Sequence, residues 1–222
     1  MANKIKSVAF LLLLLIPSIG QAGLISISSD FSEGRDGWTL SADSTSTTPG
    51  WSSAGYISGT DRAVSGYWYF EAPEKFLGDL SGAYGQLFSY DFFHSGAGPI
   101  GVAGFNMDIY SGSNFITIDS YNPPKGIWTN YSFTLDESNP WTLNNVLATK
   151  SDIIEILSSV TRIRIRGEFI EGTDTGRLDN VLLNKMSIPA PPTISLMGLG
   201  VLFATYRFKE NKKSRKQHLK CT

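Results

Sequence analysis

Hydrophobic and polar positions alternate strictly over residues 161–169. Ile163, Ile165 and Phe169 fall on one side, and Arg162, Arg164, Arg166 and Glu168 on the other. Side chains alternate faces along a strand, so one side is core and the other meets water. A Gly- and Asp-rich loop, residues 171–177, leads to a second apolar run at 178–183. The segment reads as two strands joined by a loop, the last strand closing a β domain against which the earlier strands pack.

The same period of two recurs upstream. Within residues 66–72, Tyr67 and Tyr69 share one face, and Trp68 and Phe70 the other. Residues 86–93 carry Leu87, Phe88, Tyr90 and Phe92, and residues 102–110 and 115–119 read as strands paired around a turn at 111–114. Over 128–135, Tyr131, Phe133 and Leu135 alternate with Asn130, Ser132 and Thr134. Residues 30–38 read as a strand end and a turn, and 56–58 as a short strand. The Ser/Thr-rich stretch 41–53, with Pro49 and Gly50, reads as an exposed loop. One segment changes period. Ile153, Ile156, Leu157 and Val160 follow the capping-box pattern Thr149-Lys150-Ser151-Asp152, which predicts a short amphipathic helix over 152–159. Short strands with frequent turns and one helix predict an all-β, antiparallel β-sandwich.

Composition narrows the class. Charged residues are only 18% and aromatics 12% of the 222 residues, which suits a turn-rich exported β domain and not a disordered chain. A formal net charge of −1 gives no electrostatic case for nucleic-acid binding. The single Cys, Cys221, lies in the C-terminal tail, so the central domain holds itself without a disulfide.

The two ends carry transport signals. Lys4 and Lys6 precede an apolar run at 8–16, Pro17 breaks it, and Gly20-Gln21-Ala22 supplies small residues. This predicts a signal peptide, 1–22, cut between Ala22 and Gly23; an uncleaved anchor is the alternative. At the other end Ile188-Pro189-Ala190-Pro191-Pro192 precedes an apolar segment, 194–206, and a basic tail, 207–222, that begins at Arg207. At ~1.5 Å per residue the apolar segment forms a helix of about 20 Å, short of a ~30 Å hydrocarbon core unless its neighbours extend it. The basic flank would stay on the cytoplasmic side, leaving the β domain, 23–187, outside. The tail resembles the PEP-CTERM sorting signal of Gram-negative bacteria, with Ala190 where the central Glu of that box stands. The resemblance implies an exosortase-type processing enzyme as partner, a membrane helix that anchors transiently, and delivery to the envelope or extracellular matrix. A plain C-terminal anchor is the alternative.

A second resemblance covers residues 31–183. Phe31-Ser32-Glu33-Gly34 with Gly37-Trp38, Tyr67-Trp68-Tyr69-Phe70-Glu71-Ala72-Pro73, Lys75-Phe76-Leu77-Gly78-Asp79 and Ala83-Tyr84-Gly85 come first. Trp128 with Tyr131 and Leu135, Ile156-Leu157-Ser158, Ile165-Arg166-Gly167-Glu168 and Leu178-Asp179-Asn180-Val181 follow in order. Together these pieces resemble the laminin B domain, also called laminin domain IV. The resemblance implies a jelly-roll sandwich like those of galactose-binding and carbohydrate-binding modules, found in matrix and secreted proteins, with no catalysis.

Three kinds of chemistry can be weighed. A structural Ca²⁺ clipping the first strand to the last needs several oxygens, and Asp30, Glu33 and Asp179 are the candidates, with turn or surface acids as the alternative. Sugar binding needs exposed aromatics, and Trp51, Tyr56 and Trp68 are the candidates. Most aromatics of a sandwich are core, an argument that weighs against Trp68 more than against Trp51. For catalysis the central domain offers one His, His94, read as a loop residue, and no Cys. No spacing singles out a carboxylate pair. Asn130-Tyr131-Ser132 matches a glycosylation sequon, which the bacterial type of tail makes uninformative. The expectation is an exported, non-enzymatic surface or matrix protein that binds polysaccharide or a surface partner. A secreted glycan-active enzyme or its accessory module, and a purely structural envelope component, are the alternatives. A deep cleft lined by two carboxylates would favour the enzyme, a flat face with exposed aromatics the binding module, and neither the structural component.

Overall fold

The computed structural model describes residues 22–187 except 63–65 and 102–104. The expected signal peptide through residue 21, and the tail with Pro189, Pro191, Arg207 and the segment 194–206, lie outside the described residues. Residues 23–187 form one compact unit. Among the described residues no helix is long and apolar enough to cross a membrane.

The chain runs through β1 (Leu24–Ser29), β2 (Thr39–Ala42), β3 (Gly50–Ser52), β4 (Tyr56–Thr60), β5 (Trp68–Glu71), β6 (Leu87–Gly96), β7 (Met107–Ser111), β8 (Asn114–Ile118), β9 (Thr129–Thr134), β10 (Thr142–Leu143), β11 (Val146–Leu147), α1 (Lys150–Leu157), β12 (Arg162–Arg166) and β13 (Asp174–Met186). They form an antiparallel two-sheet sandwich. One sheet has the order β3-β4-β13-β6-β9, with β1 also paired to β13; the other runs β11-β10-β8-β7-β12-β5-β2. Between them lies a core of alternate positions. Ile57, Phe88, Tyr90, Phe92, Tyr131, Phe133, Leu178 and Val181 come from the first sheet, and Trp68, Phe70, Ile109, Ile116, Ile163 and Ile165 from the second. Aromatic rings meet mostly edge-on or tilted, as for Phe70 against Phe92 at 6.5 Å and 78°.

Helix α1 forms where the periodicity predicts, two residues earlier. The Thr149 side chain accepts from the Asp152 N–H, and the Asp152 carboxylate accepts from the Thr149 N–H at 2.8 Å. Ile153, Ile156 and Leu157 face the core, against β7 and β8.

The sandwich departs from the sequence expectation in four places. The strands within 161–183 are not sheet neighbours: β12 and β13 lie in opposite sheets, and the chain crosses between them. The last strand begins at Asp174, within the expected loop, because Asp174 and Gly176 point inward onto an indole. The stretch 41–53 is not all loop, for Trp51 pairs with Ile57 on the edge strand β3. His94 belongs to β6; it is buried, its ring packs on Phe92 and Phe169, and Nε2 lies 2.8 Å from the Pro123 carbonyl. Burial pushes its pKa down. The β10–β11 hairpin escaped the period-two reading because its strands have two residues each; Asn144 and Asn145, at φ 53° and 63°, supply its left-handed turn.

Trp68 of one sheet packs directly on the backbone of the other. Its Nε1 donates to Asp174 Oδ1 at 3.0 Å, and Asp174 Oδ2 accepts from the Phe169 N–H at 3.0 Å. Gly59, Gly167 and Gly176 surround the ring, and a Cβ on Gly59 or Gly167 would overlap it. Glycine is needed there for close approach, not for its backbone freedom. Nearby, burial raises the Asp174 carboxyl to about 6 despite its two donors. Burial, reinforced by Asp61 and Asp174, raises Glu168 to about 7.

Two predictions follow from this seat. Gly167→Ala forces the indole or its strand to move and costs about 1–3 kcal/mol, read as a lower urea midpoint; an unchanged midpoint would contradict the packing. The raised carboxyls set a pH dependence. Folded Glu168 and Asp174 hold protons more tightly than the unfolded chain does. Their contribution is therefore complete below their unfolded values near 4 and lost as pH rises through about 6 and 7. The urea midpoint should fall between pH 5 and pH 8, and Glu168→Gln should flatten the fall; a slope identical in the variant would refute the assignment.

Candidate functional site

The outer face of the β1-containing sheet carries an unusual row. Register places Arg177 of β13 opposite Ser58 of β4 on one side and Phe93 of β6 on the other. Phe92 pairs with Thr129, which brings Trp128, just before β9, beside Phe93. Tyr56 lies two residues from Ser58 and so shares its face. The four side chains close on one another. Trp128 meets Tyr56 edge-on at 5.9 Å and Phe93 at 5.6 Å. The Arg177 guanidinium carbon lies 4.7 Å from the Phe93 ring centre and 5.0 Å from that of Tyr56. This geometry fixes a long side chain by cation–π attraction. Trp128 is 41% exposed at the rim.

A polar row runs alongside. Asp179 of β13 is opposite Asp91 of β6, which is opposite Asn130 of β9. The ladder between β13 and β6 then shifts between Asp179 and Leu182. The extra residue is Asn180, at φ 50°, a left-handed conformation that Asn tolerates better than most residues. The bulge places Asp179 and Asn180 together on the outside while Leu178 and Val181 both stay buried. Asn180 Nδ2 donates to Asp91 Oδ2 and Asn130 Nδ2 to Asp91 Oδ1, each at 2.8 Å. Asp91 is thus held from both sides, and its oxygens and the two amides keep spare hydrogen-bonding capacity. Burial raises the Asp179 carboxyl, against a hydrogen bond from the Asn180 N–H; the charges of Asp91 and Asp30 raise it further.

The residues expected from sequence divide. Tyr56 is in the aromatic row. Trp51 is exposed but pairs with inward-facing Ile57, and its Nε1 donates to the Phe31 carbonyl at 2.7 Å, so it closes the sandwich edge. Trp68 is fully buried and unavailable to a ligand, because the indole fills the gap left by three glycines. Asp30 and Asp179 lie close enough for the charge of one to bear on the other, while Glu33 stays in the loop after β1. Among the described residues no group of three or more His, Cys, Asp or Glu is placed to hold a metal ion. Asp30 accepts from the backbone and side chain of Ser32, at 3.1 and 2.9 Å, while Asp179 belongs to the outer polar row. Glu33 is exposed in the open pocket lined by Asp30–Asp36. First and last strands are joined by the β1–β13 ladder, Leu24 to Ser29 against Met186 to Val181. Lys75 donates to the Ser28 carbonyl and pairs with Asp36. Gly23, beside the expected cleavage point after Ala22, also bonds to Ser187 through both backbone groups.

Sequence reasoning missed Phe93, Trp128, Arg177, Asp91, Asn130 and Asn180 as a set. Part of the signal was there: extending the 128–135 alternation back from Asn130 puts Trp128 outward. The bulge had no such signal.

The opposite outer face is occupied by its own residues. Arg162 lies 4.0 Å over Tyr110, Arg164 lies 4.0 Å over Tyr69, and Arg164 pairs with buried Asp108 at 2.5 Å. The raised carboxyls Glu168 and Asp174 are buried, and Asp174 is held by Trp68 and Phe169. They are not an accessible acid–base pair.

Comparison with known proteins gives three findings. A family model described as Laminin B (Domain IV) matches residues 69–196. The solved L4b domain of human laminin alpha-2 superposes with a TM-score of 0.60 at 16% identity, over 75% of this chain and 100% of that one; the likeness is one of fold. The N-terminal cellulose-binding domain of a Cellulomonas fimi β-1,4-glucanase C aligns over 72% of this chain and 95% of its own, at 10% identity and a TM-score of 0.37, too loose to bear on fold or ligand. No curated protein matches the sequence.

Proposed function

Since the chain belongs to the laminin B (domain IV) family, we propose that residues 23–187 are an extracellular binding module that holds a polysaccharide on the outer face of the β1-containing sheet. The observation that carries this reading is an outer sheet face on which exposed Trp128, backed by Tyr56, Phe93 and Arg177, borders a preorganised Asp91–Asn130–Asn180 row. A sugar ring presents an apolar face and a hydroxyl edge, and this pairing of an indole with fixed acceptors and donors suits both. The module acts by binding and not by catalysis in this reading. Export through the signal peptide 1–22 and delivery by the PEP-CTERM-type tail 188–222, handled by an exosortase-type enzyme at the membrane, belong to the same proposal. Their support is the order of charged, apolar and small residues at each end.

Affinity electrophoresis of the protein through gels carrying single soluble polysaccharides tests the site. At least one polymer should retard it, and Trp128→Ala should weaken that binding about tenfold or more, as loss of an aromatic anchor does. Trp51→Ala, on the inward side of β3, should leave retardation unchanged. If no polymer retards the protein, a purely structural role takes the place of binding; if one does and the two variants behave alike, the polymer is held elsewhere and this face is not the site.

A further inference from the structure

The two rows differ in charge, and the difference bears on which glycan fits. This step rests on the polysaccharide reading above. Arg177 is the cation of the two rows, and its guanidinium is held over the Phe93 and Tyr56 rings, one row away from the carboxylates. Among the described residues it makes no ion pair. On the other side stand Asp91 and Asp179, directly opposite each other in the ladder. Asp30 follows the end of β1, where Ser29 pairs with Val181, and its charge is felt by Asp179. Asp91 takes its two amide donors from neutral Asn130 and Asn180, so its charge is hydrogen-bonded without being cancelled.

A ring stacked on Trp128 therefore directs its hydroxyl edge at carboxylates. Hydroxyls donate to carboxylates in short, charge-assisted bonds. A carboxylate or sulfate on the same ring would be brought beside two or three like charges and would lose affinity. An ammonium group on the same ring would be drawn to those carboxylates, so the row does not turn away amino glycans. We infer that the face selects a non-acidic, hydroxyl-rich glycan chain and rejects polyuronates, with Asp179 and Asp30 as the residues that set the rejection. The bulge at Asn180 supports this selectivity, because it turns Asn180 outward beside Asp179 and so fixes Asp91 between two amides.

The test compares three probes on the full-length chain: a neutral soluble β-glucan, alginate as the polyuronate, and a chitosan oligomer as the amino glycan. The glucan should bind at least about tenfold more tightly than alginate, and no more tightly than chitosan. Its affinity should change little between 50 mM and 500 mM salt, since a neutral ligand offers no charge to screen. The Asp30→Asn, Asp179→Asn double variant should narrow the glucan-to-alginate ratio to within about threefold. The readout is a ratio, which a loss of folded protein does not move. Alginate binding the unaltered chain as tightly as glucan overturns the selectivity and leaves the polysaccharide site standing, as does a ratio unmoved in the double variant for the roles of the two carboxylates. Binding of none of the three removes the polysaccharide reading and this inference with it.

Discussion

A strand of thirteen residues in the middle of a sheet must keep its core side filled while pairing on both edges, and β13 does so over most of its length, with Asp174 and Gly176 set inward against Trp68. It pairs with β6 on one side, and on the other with β4 over its first part and β1 over its last. A strict period of two carried from Leu178 would bring Asn180 inward and turn Val181 out. The single extra residue at Asn180 resets the phase, so that Leu178, Val181 and Leu183 are all buried. The core thus depends on a local irregularity, and that same irregularity creates the polar row outside. Fold and candidate site share one backbone feature: a left-handed Asn in the last strand.

The core has its own fixed point near the start of β13. Trp68 needs three residues without side chains around it and one acceptor for its N–H. Asp174 is that acceptor, and it also holds the backbone of Phe169. Burying a carboxyl is costly unless it is hydrogen-bonded or protonated. Here both routes operate, which is why the carboxyl keeps two donors and still titrates high. The crossing from β12 to β13 is therefore held by a polar contact between the sheets as well as by apolar packing. A wholly apolar seat would leave the indole N–H without a partner, a penalty comparable to losing a hydrogen bond.

Much of this architecture could be read from alternation alone. The inward faces of β5, β6, β9 and β12 follow directly from it, as does the capped helix α1. What alternation could not give was the sheet to which each strand belongs. Period two tells which residues share a face, not which strands are neighbours, so β12 and β13, close in sequence, were read as a pair although they lie in opposite sheets. The polar and glycine residues at 174–176 looked like a loop because their inward role depends on a tryptophan a hundred residues away. The calcium expectation finds no cluster of three acids among the described residues. Asp30 and Glu33 are close in the sequence, but Lys75 already anchors the end of β1 and pairs with Asp36, and Asp179 is turned to the outer face. Tyr56 was legible as a candidate and Trp128 could have been, since both obey the alternation. Asn180 was not, since a bulge is a break in the very pattern by which strands are read.

The two outer faces then differ in a way that composition conceals. Both carry arginines over aromatic rings. On the β12 face Arg164 also has a buried carboxylate partner, so its charge and its hydrogen bonds are consumed within the fold. On the β13 face Arg177 has rings only, and the carboxylates stand one row away with neutral amides as donors. A surface whose polar groups are all paired internally has little to offer a ligand beyond area. A surface whose charges are held in place but not neutralised offers directed hydrogen bonds at small entropic cost, since the side chains are already fixed. Of the two, only the face organised by the bulge combines exposed aromatic area with unspent acceptors, and that combination makes it the place where binding would be strongest.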